Sequence, residues 1–149
     1  MNQPVPDFTV PATDGDFTLS GLHGRKVVLY FYPKDNTPGC TTESLQFRDL
    51  YQQFQQANAQ IVGASRDSLR SHENFRTKLG LPFALISDAS ETLCTLFDVI
   101  RQKKLYGKTV RGIERSTFLI DENGILRGEW RGVKVPLHAN EVLAAVQAL

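Results

Sequence analysis

The chain has 149 residues, of which 41% are hydrophobic and 22% charged, with a formal net charge of +1. That length suits one domain with a real core, and the composition argues against disorder. The near balance of charge removes the electrostatic case for nucleic acid or an anionic membrane as partner.

No apolar run reaches the eighteen residues a membrane span needs. The stretch Met1 to Asp16 carries Asp7, Asp14 and Asp16 and lacks the basic and apolar regions of a signal peptide, so a cytoplasmic protein is expected. Two cysteines, Cys40 and Cys94, form neither a disulfide framework nor a zinc cluster. In a reducing compartment they read as buried small hydrophobes, reactive thiols, or one of each.

In chain order, Val5 to Leu22 reads as a small hairpin or extended lead-in around Asp14-Gly15-Asp16. Lys26 to Tyr32 is a β-branched and aromatic run that suits a central strand covered on both faces, stopped by Pro33. After a loop from Pro33 to Gly39, helical spacing runs from Cys40 to about Gln56. Gln60 to Ser65 is a second strand. Arg66-Asp67-Ser68 starts a helix that ends at Leu79 before Gly80 and Pro82. Phe83 to Ser87 is a third strand, and Asp88-Ala89-Ser90 caps a short helix through Phe97. The basic segment Arg101 to Lys108 reads as a solvated loop, or as a dock for an acidic reductant. Arg115 to Ile120 and Ile125 to Arg131 are two further strands joined by the Asp121–Gly124 turn, and Asn140 to Leu149 is a closing amphipathic helix. Strands alternating with helices, followed by a late hairpin, predict an α/β fold with a mixed central sheet flanked by helices, and a thioredoxin-like layout fits that order.

Cys40 stands at a strand–loop–helix junction. A thiol in the first helical turn meets the positive end of the helix dipole and unpaired backbone N–H groups, which favour the thiolate. Thr37 offers a hydroxyl three positions earlier, and the prolines and glycine of the loop favour a preformed pocket. A thiolate in a partly desolvated pocket needs a nearby cation, and an arginine stays charged and carries a fork of donors. The bland reading of Cys40 is an inert buried cysteine. A Cys-x-x-Cys oxidoreductase is ruled out because residue 43 is Glu. His23, His72 and His138 have no supporting motif beside the cysteine and are expected at the surface or in loops.

Pro33-x-x-x-Thr37-x-x-Cys40, with Arg115, resembles the active-site motif of the peroxiredoxins. The longer string from Phe31 to Glu43, together with Pro6-Asp7-Phe8, Gly63 to Asp67, Phe83 to Asp88 and Arg115 to Asp121, resembles the peroxiredoxin Q branch, also called bacterioferritin comigratory protein. The resemblance covers nearly the whole chain. It implies a thiol-dependent peroxidase that reduces hydrogen peroxide and organic hydroperoxides without metal, haem or flavin. Cys40 is then the peroxidatic cysteine, Thr37 binds the peroxide, Pro33 shields the sulfur, and Arg115 holds thiolate and peroxide oxygens. Glu43 either holds Arg115 or the loop, or completes the helix N-terminus. The resemblance also implies a monomer recycled by thioredoxin, glutaredoxin or glutathione. A peroxide-sensing domain signalling through Cys40 begins with the same sulfenic acid and is the alternative. The family's usual positions for a second, resolving cysteine hold Leu45 and Arg76. Cys94 remains, either as a small core residue or as an unusual resolving cysteine.

Overall fold

The structure, a computed structural model, describes the backbone of residues 1–149 and every side chain except that of Leu105. Thr9–Val10 (β1) and Phe17–Thr18 (β2) pair antiparallel around a turn at Gly15, whose φ of 95° is one that glycine adopts without penalty. Lys26–Phe31 (β3) is buried at every position, as its continuous apolar run requires. Pro38–Asp49 (α1) and Tyr51–Gln56 (α2) follow, then Ala59–Ser65 (β4), Leu69–Leu79 (α3), Leu85–Ser87 (β5) and Thr92–Leu96 (α4). Ile100–Leu105 (β6) and Lys108–Ile113 (β7) precede Ser116–Ile120 (β8), Leu126–Arg131 (β9) and His138–Gln147 (α5).

The main sheet has the order β5-β4-β3-β8-β9. β3, β4 and β5 run parallel, while β8 is antiparallel to β3 and β9. The late hairpin thus makes the sheet mixed, as the element order predicts. Local chemistry explains the boundaries. Ser68 caps α3 by accepting the Ser71 N–H at 3.1 Å, and Gly80 closes it at φ 64°. Asp88 takes the Leu93 and Cys94 N–H groups at 3.0 and 2.8 Å and so caps α4.

Three expectations need correction. The helix expected over 40–56 starts at Pro38, a residue suited to a first helical position, and breaks at Leu50, where φ is −99° and ψ 3°. The basic segment expected as a loop is a two-stranded antiparallel hairpin, β6–β7, turned at Tyr106–Gly107. His72 and His138 are buried at 0% and 3% exposure rather than at the surface, because each finds a polar partner inside.

Alternation along β3 divides the core. Val28, Tyr30 and Tyr32 pack with Cys40, Phe47, Phe54, Phe75 and the inner side of α5. Val27, Leu29 and Phe31 pack with Val10, Leu93, Cys94, Phe97 and Phe118 on the other side. Gly63 in β4 leaves room for Tyr30. A Cβ there would lie 2.8 Å from the Tyr30 ring and 2.9 Å from Leu85. The Tyr30 hydroxyl in turn bonds Ser44 Oγ of α1 at 2.9 Å, one turn beyond Cys40. Gly63→Ala is therefore expected to destabilise the protein by about 1–3 kcal/mol, measured by denaturant unfolding. An unchanged midpoint would mean that the Tyr30 ring yields freely.

Candidate active site

Cys40 is the third residue of α1 and has no exposed surface. Its sulfur accepts from Arg115 Nη2 at 3.4 Å. Arg115 immediately precedes β8, which pairs with β3 at Phe31↔Ser116, so the sheet register carries the guanidinium across to the loop that follows β3. The same guanidinium donates through Nη1 to Glu43 Oε1 at 2.6 Å. Sulfur, guanidinium and carboxylate thus form one chain of contacts at the start of α1.

Glu43 is fully buried, and its second oxygen, Oε2, has no hydrogen-bond partner among the described residues. Burial pushes its carboxyl up to about 7, because the opposing pull of Arg115 only partly offsets lost solvation. Of the two readings of Glu43, the geometry matches the one in which it holds Arg115. Gly39, read from the sequence only as a loop residue of the pocket, has a second role in its close approach to Arg115. A Cβ there would stand 3.1 Å from Arg115 Nη2, so the glycine lets the guanidinium close on the helix start. The sequence signal was present only as the glycine next to the cysteine.

The loop between β3 and α1 is tied down from inside. Asn36 adopts φ 62°, and Thr37 donates its hydroxyl to Lys34 O at 2.8 Å, leaving the oxygen's lone pairs free to accept. Asp35 is the anchor. Its carboxylate accepts from the Tyr32 hydroxyl at 2.7 Å and the Ser71 hydroxyl at 2.8 Å, and lies 2.7 Å from His72 Nδ1. His72 Nε2 faces Ile86 O at 2.9 Å. Both ring nitrogens therefore have an acceptor, and α3 holds the loop through one buried ring. Asp67 extends the network by accepting from the Asp35 N–H at 3.0 Å and from the Ser65 hydroxyl. Ser65, His72 and Asp35 superficially imitate a hydrolase triad, but Ser65 is sealed from solvent and its proton is committed to Asp67. The cluster of Asp35, Asp67 and His72 also offers metal-type ligands, yet its oxygens already accept hydrogen bonds from the protein.

Pro33 is exposed at the start of this loop. It lines a cavity of about 300 Å³ with Lys34, Lys103, Val110 and Ile113. A second cleft, of about 340 Å³, opens beside Gly39 against Pro38, Thr42, Val135 and Pro136.

Cys94 sits in α4 among the residues of the opposite core, with the sheet between it and Cys40. Burial, reinforced by a hydrogen bond to Asp88, raises its thiol well above the ordinary range and so disfavours the nucleophilic thiolate. Both cysteines are free.

The Glu43 carboxyl has a higher pKa folded than unfolded, where 4.5 is ordinary, so its contribution to stability is fully present below pH 4.5 and is lost as pH rises through about 7. The stability of the wild type relative to Glu43→Gln should therefore fall between pH 5 and pH 8, by roughly 2 kcal/mol on that linkage. Denaturant unfolding of both proteins at the two pH values measures it, and a difference that is flat or rises would contradict the assignment.

Residues 1–129 match the AhpC/TSA family. The chain is 55% identical to the peroxiredoxin Bcp of Xanthomonas campestris, with 99% of this chain and 94% of that protein aligned. It is 47% identical to the peroxiredoxin Bcp of Bacillus subtilis, with 99% and 94% covered. Among solved structures, the bacterioferritin comigratory protein of X. campestris, studied for its alkyl peroxide reduction activity, superposes with a TM-score of 0.90 at 51% identity over 95% of this chain and 90% of that one. A PrxQ mutant of Xylella fastidiosa superposes with a TM-score of 0.92 at 47% identity over 99% and 92%. The thioredoxin-like fold, the family match and these relatives agree, and the chain belongs to the AhpC/TSA family as a peroxiredoxin of the Bcp/PrxQ type, a thiol peroxidase.

Proposed function

We propose that the peroxidase reaction runs through Cys40. The observation that carries this reading is the guanidinium of Arg115, 3.4 Å from the Cys40 sulfur and braced by Glu43. A fixed cation against the sulfur in a water-poor site stabilises negative charge there, and the same fork of donors can follow the charge onto the departing oxygen. The Cys40 thiolate attacks the distal oxygen of the hydroperoxide, the O–O bond breaks, and water or an alcohol leaves after taking a proton. Cys40 becomes a sulfenic acid. The Thr37 oxygen, its hydroxyl hydrogen engaged by the Lys34 carbonyl, accepts from the peroxide O–H. Pro33 stiffens the entry to the loop.

The substrates in this reading are hydrogen peroxide and organic hydroperoxides. The cleft beside Gly39, walled by Pro38, Val135 and Pro136, supports the second class because it offers apolar surface to an alkyl group. The cycle is a one-cysteine cycle. Cys94 is disfavoured as a thiolate and lies across the sheet, so the reducing thiol comes from outside, as thioredoxin, glutaredoxin or glutathione. Such a cycle operates in a reducing compartment such as the cytoplasm.

Cys40→Ser is expected to abolish consumption of hydrogen peroxide and tert-butyl hydroperoxide, and Arg115→Ala to slow it about 100-fold or more with the circular dichroism spectrum retained. Wild-type turnover by either variant would sink the assignment. Fast turnover by the unmodified protein also separates an enzyme from a peroxide sensor. Intact mass after one equivalent of peroxide, without reductant, tests the cycle. A gain of one oxygen mapped to Cys40 is expected, whereas loss of two hydrogens would mean a Cys40–Cys94 disulfide.

A further inference from the structure

We infer that the β6–β7 hairpin is the docking surface for an acidic protein dithiol that reduces oxidised Cys40, an inference that rests on the Cys40 reading above. Residues 101–111 hold five of the chain's 17 lysines and arginines and none of its 16 acidic residues. Without that segment the chain would be net negative, so the positive charge is concentrated on one projection. Arg101 and Arg111 are paired with Asp98 and Glu91. Lys103, Lys104 and Lys108 are exposed. Tyr106 at the tip is 97% exposed and Val110 45%. Exposed aromatic and aliphatic groups set among unburied cations make a surface suited to a partner with an apolar centre and an acidic rim.

Its position joins this surface to the chemistry. The hairpin strands bond to each other in a separate two-stranded sheet, and the base is fastened by Arg111 to Glu91 and by Arg66 Nη2 to Arg111 O at 3.4 Å. In the register, Lys103 faces Val110 across the hairpin, and both line the cavity whose other wall is Pro33 and Lys34. Pro33 and Lys34 begin the loop that leads into α1 and Cys40, and β7 ends two residues before Arg115. A protein gripping the hairpin therefore lies against the start of the loop that carries Cys40, whose sulfur has no exposed surface and is reached only when the local structure opens. The chemistry it performs balances. Its first thiol condenses with the Cys40 sulfenic acid, forming a mixed disulfide and releasing water. Its second thiolate then breaks that bond, leaving Cys40 as thiolate and the partner as its own two-electron-oxidised disulfide.

The test uses the full chain, with a thioredoxin of acidic surface as the probe. Steady-state reduction by thioredoxin is measured against ionic strength for the wild type and for a variant carrying Lys103→Glu, Lys104→Glu and Lys108→Glu. Stopped-flow oxidation of Cys40 by hydrogen peroxide and recycling by dithiothreitol and by glutathione are measured alongside. The expected result is a fall of at least about tenfold in kcat/KM for thioredoxin in the variant, with loss of the wild-type salt dependence. Peroxide oxidation and dithiothreitol recycling should be unchanged, which also shows that the variant is folded. An unchanged rate with thioredoxin, a wild type that thioredoxin does not reduce, or a loss confined to glutathione would each overturn the proposal. Failure of Cys40 to react with peroxide in the wild type would instead overturn the underlying reading. The neutral variant with Lys103→Gln, Lys104→Gln and Lys108→Gln should fall between the two, and wild-type rates in it would also count against the charge argument.

Discussion

The contact from Glu43 through Arg115 to the Cys40 sulfur is the constraint on which the rest of the site depends. It joins residues 72 and 75 positions apart in sequence. It requires β8 to lie beside β3 in one register, a glycine at position 39, and a carboxyl buried one turn along α1. Burying that carboxyl costs solvation that the guanidinium does not fully return, and its unpartnered Oε2 shows the cost in atomic terms. A fold selected for stability alone would gain from an apolar residue there. The carboxyl is intelligible as a brace that holds one guanidinium nitrogen while the other meets the Cys40 sulfur.

Around this contact the protein is held from the far side of the loop. Asp35 collects three side-chain partners, Tyr32 just after β3 and Ser71 and His72 of α3, so the segment between Pro33 and Gly39 is tied down by hydrogen bonds. A polar network can open in one cooperative step, because losing one partner leaves the others less well satisfied.

The central sheet imposes the second separation. Because side chains alternate along β3, Cys40 and Cys94 belong to different cores, and burial beside Asp88 disfavours the Cys94 thiolate. That separation is what the proposal of an outside reducing thiol rests on, together with the leucine and arginine at positions 45 and 76.

The sequence by itself was enough for the mixed α/β fold, the buried run of β3, the start of α1 near Cys40, and the pairing of that cysteine with a distant arginine in a family pattern. These depend on turns, caps, periodicity and a motif, whose signals act over a few residues. Tertiary structure alone decided which side of the sheet each cysteine occupies, that Glu43 reaches Arg115, that His72 and His138 are interior, and that the basic segment is a hairpin against the loop. Those outcomes are set by contacts between segments tens of residues apart, where burial and strand register rather than local preference determine what a side chain meets. A histidine on an amphipathic helix or a run of lysines looks alike in sequence whether solvent or a buried carboxylate waits for it, and only the packed chain shows which.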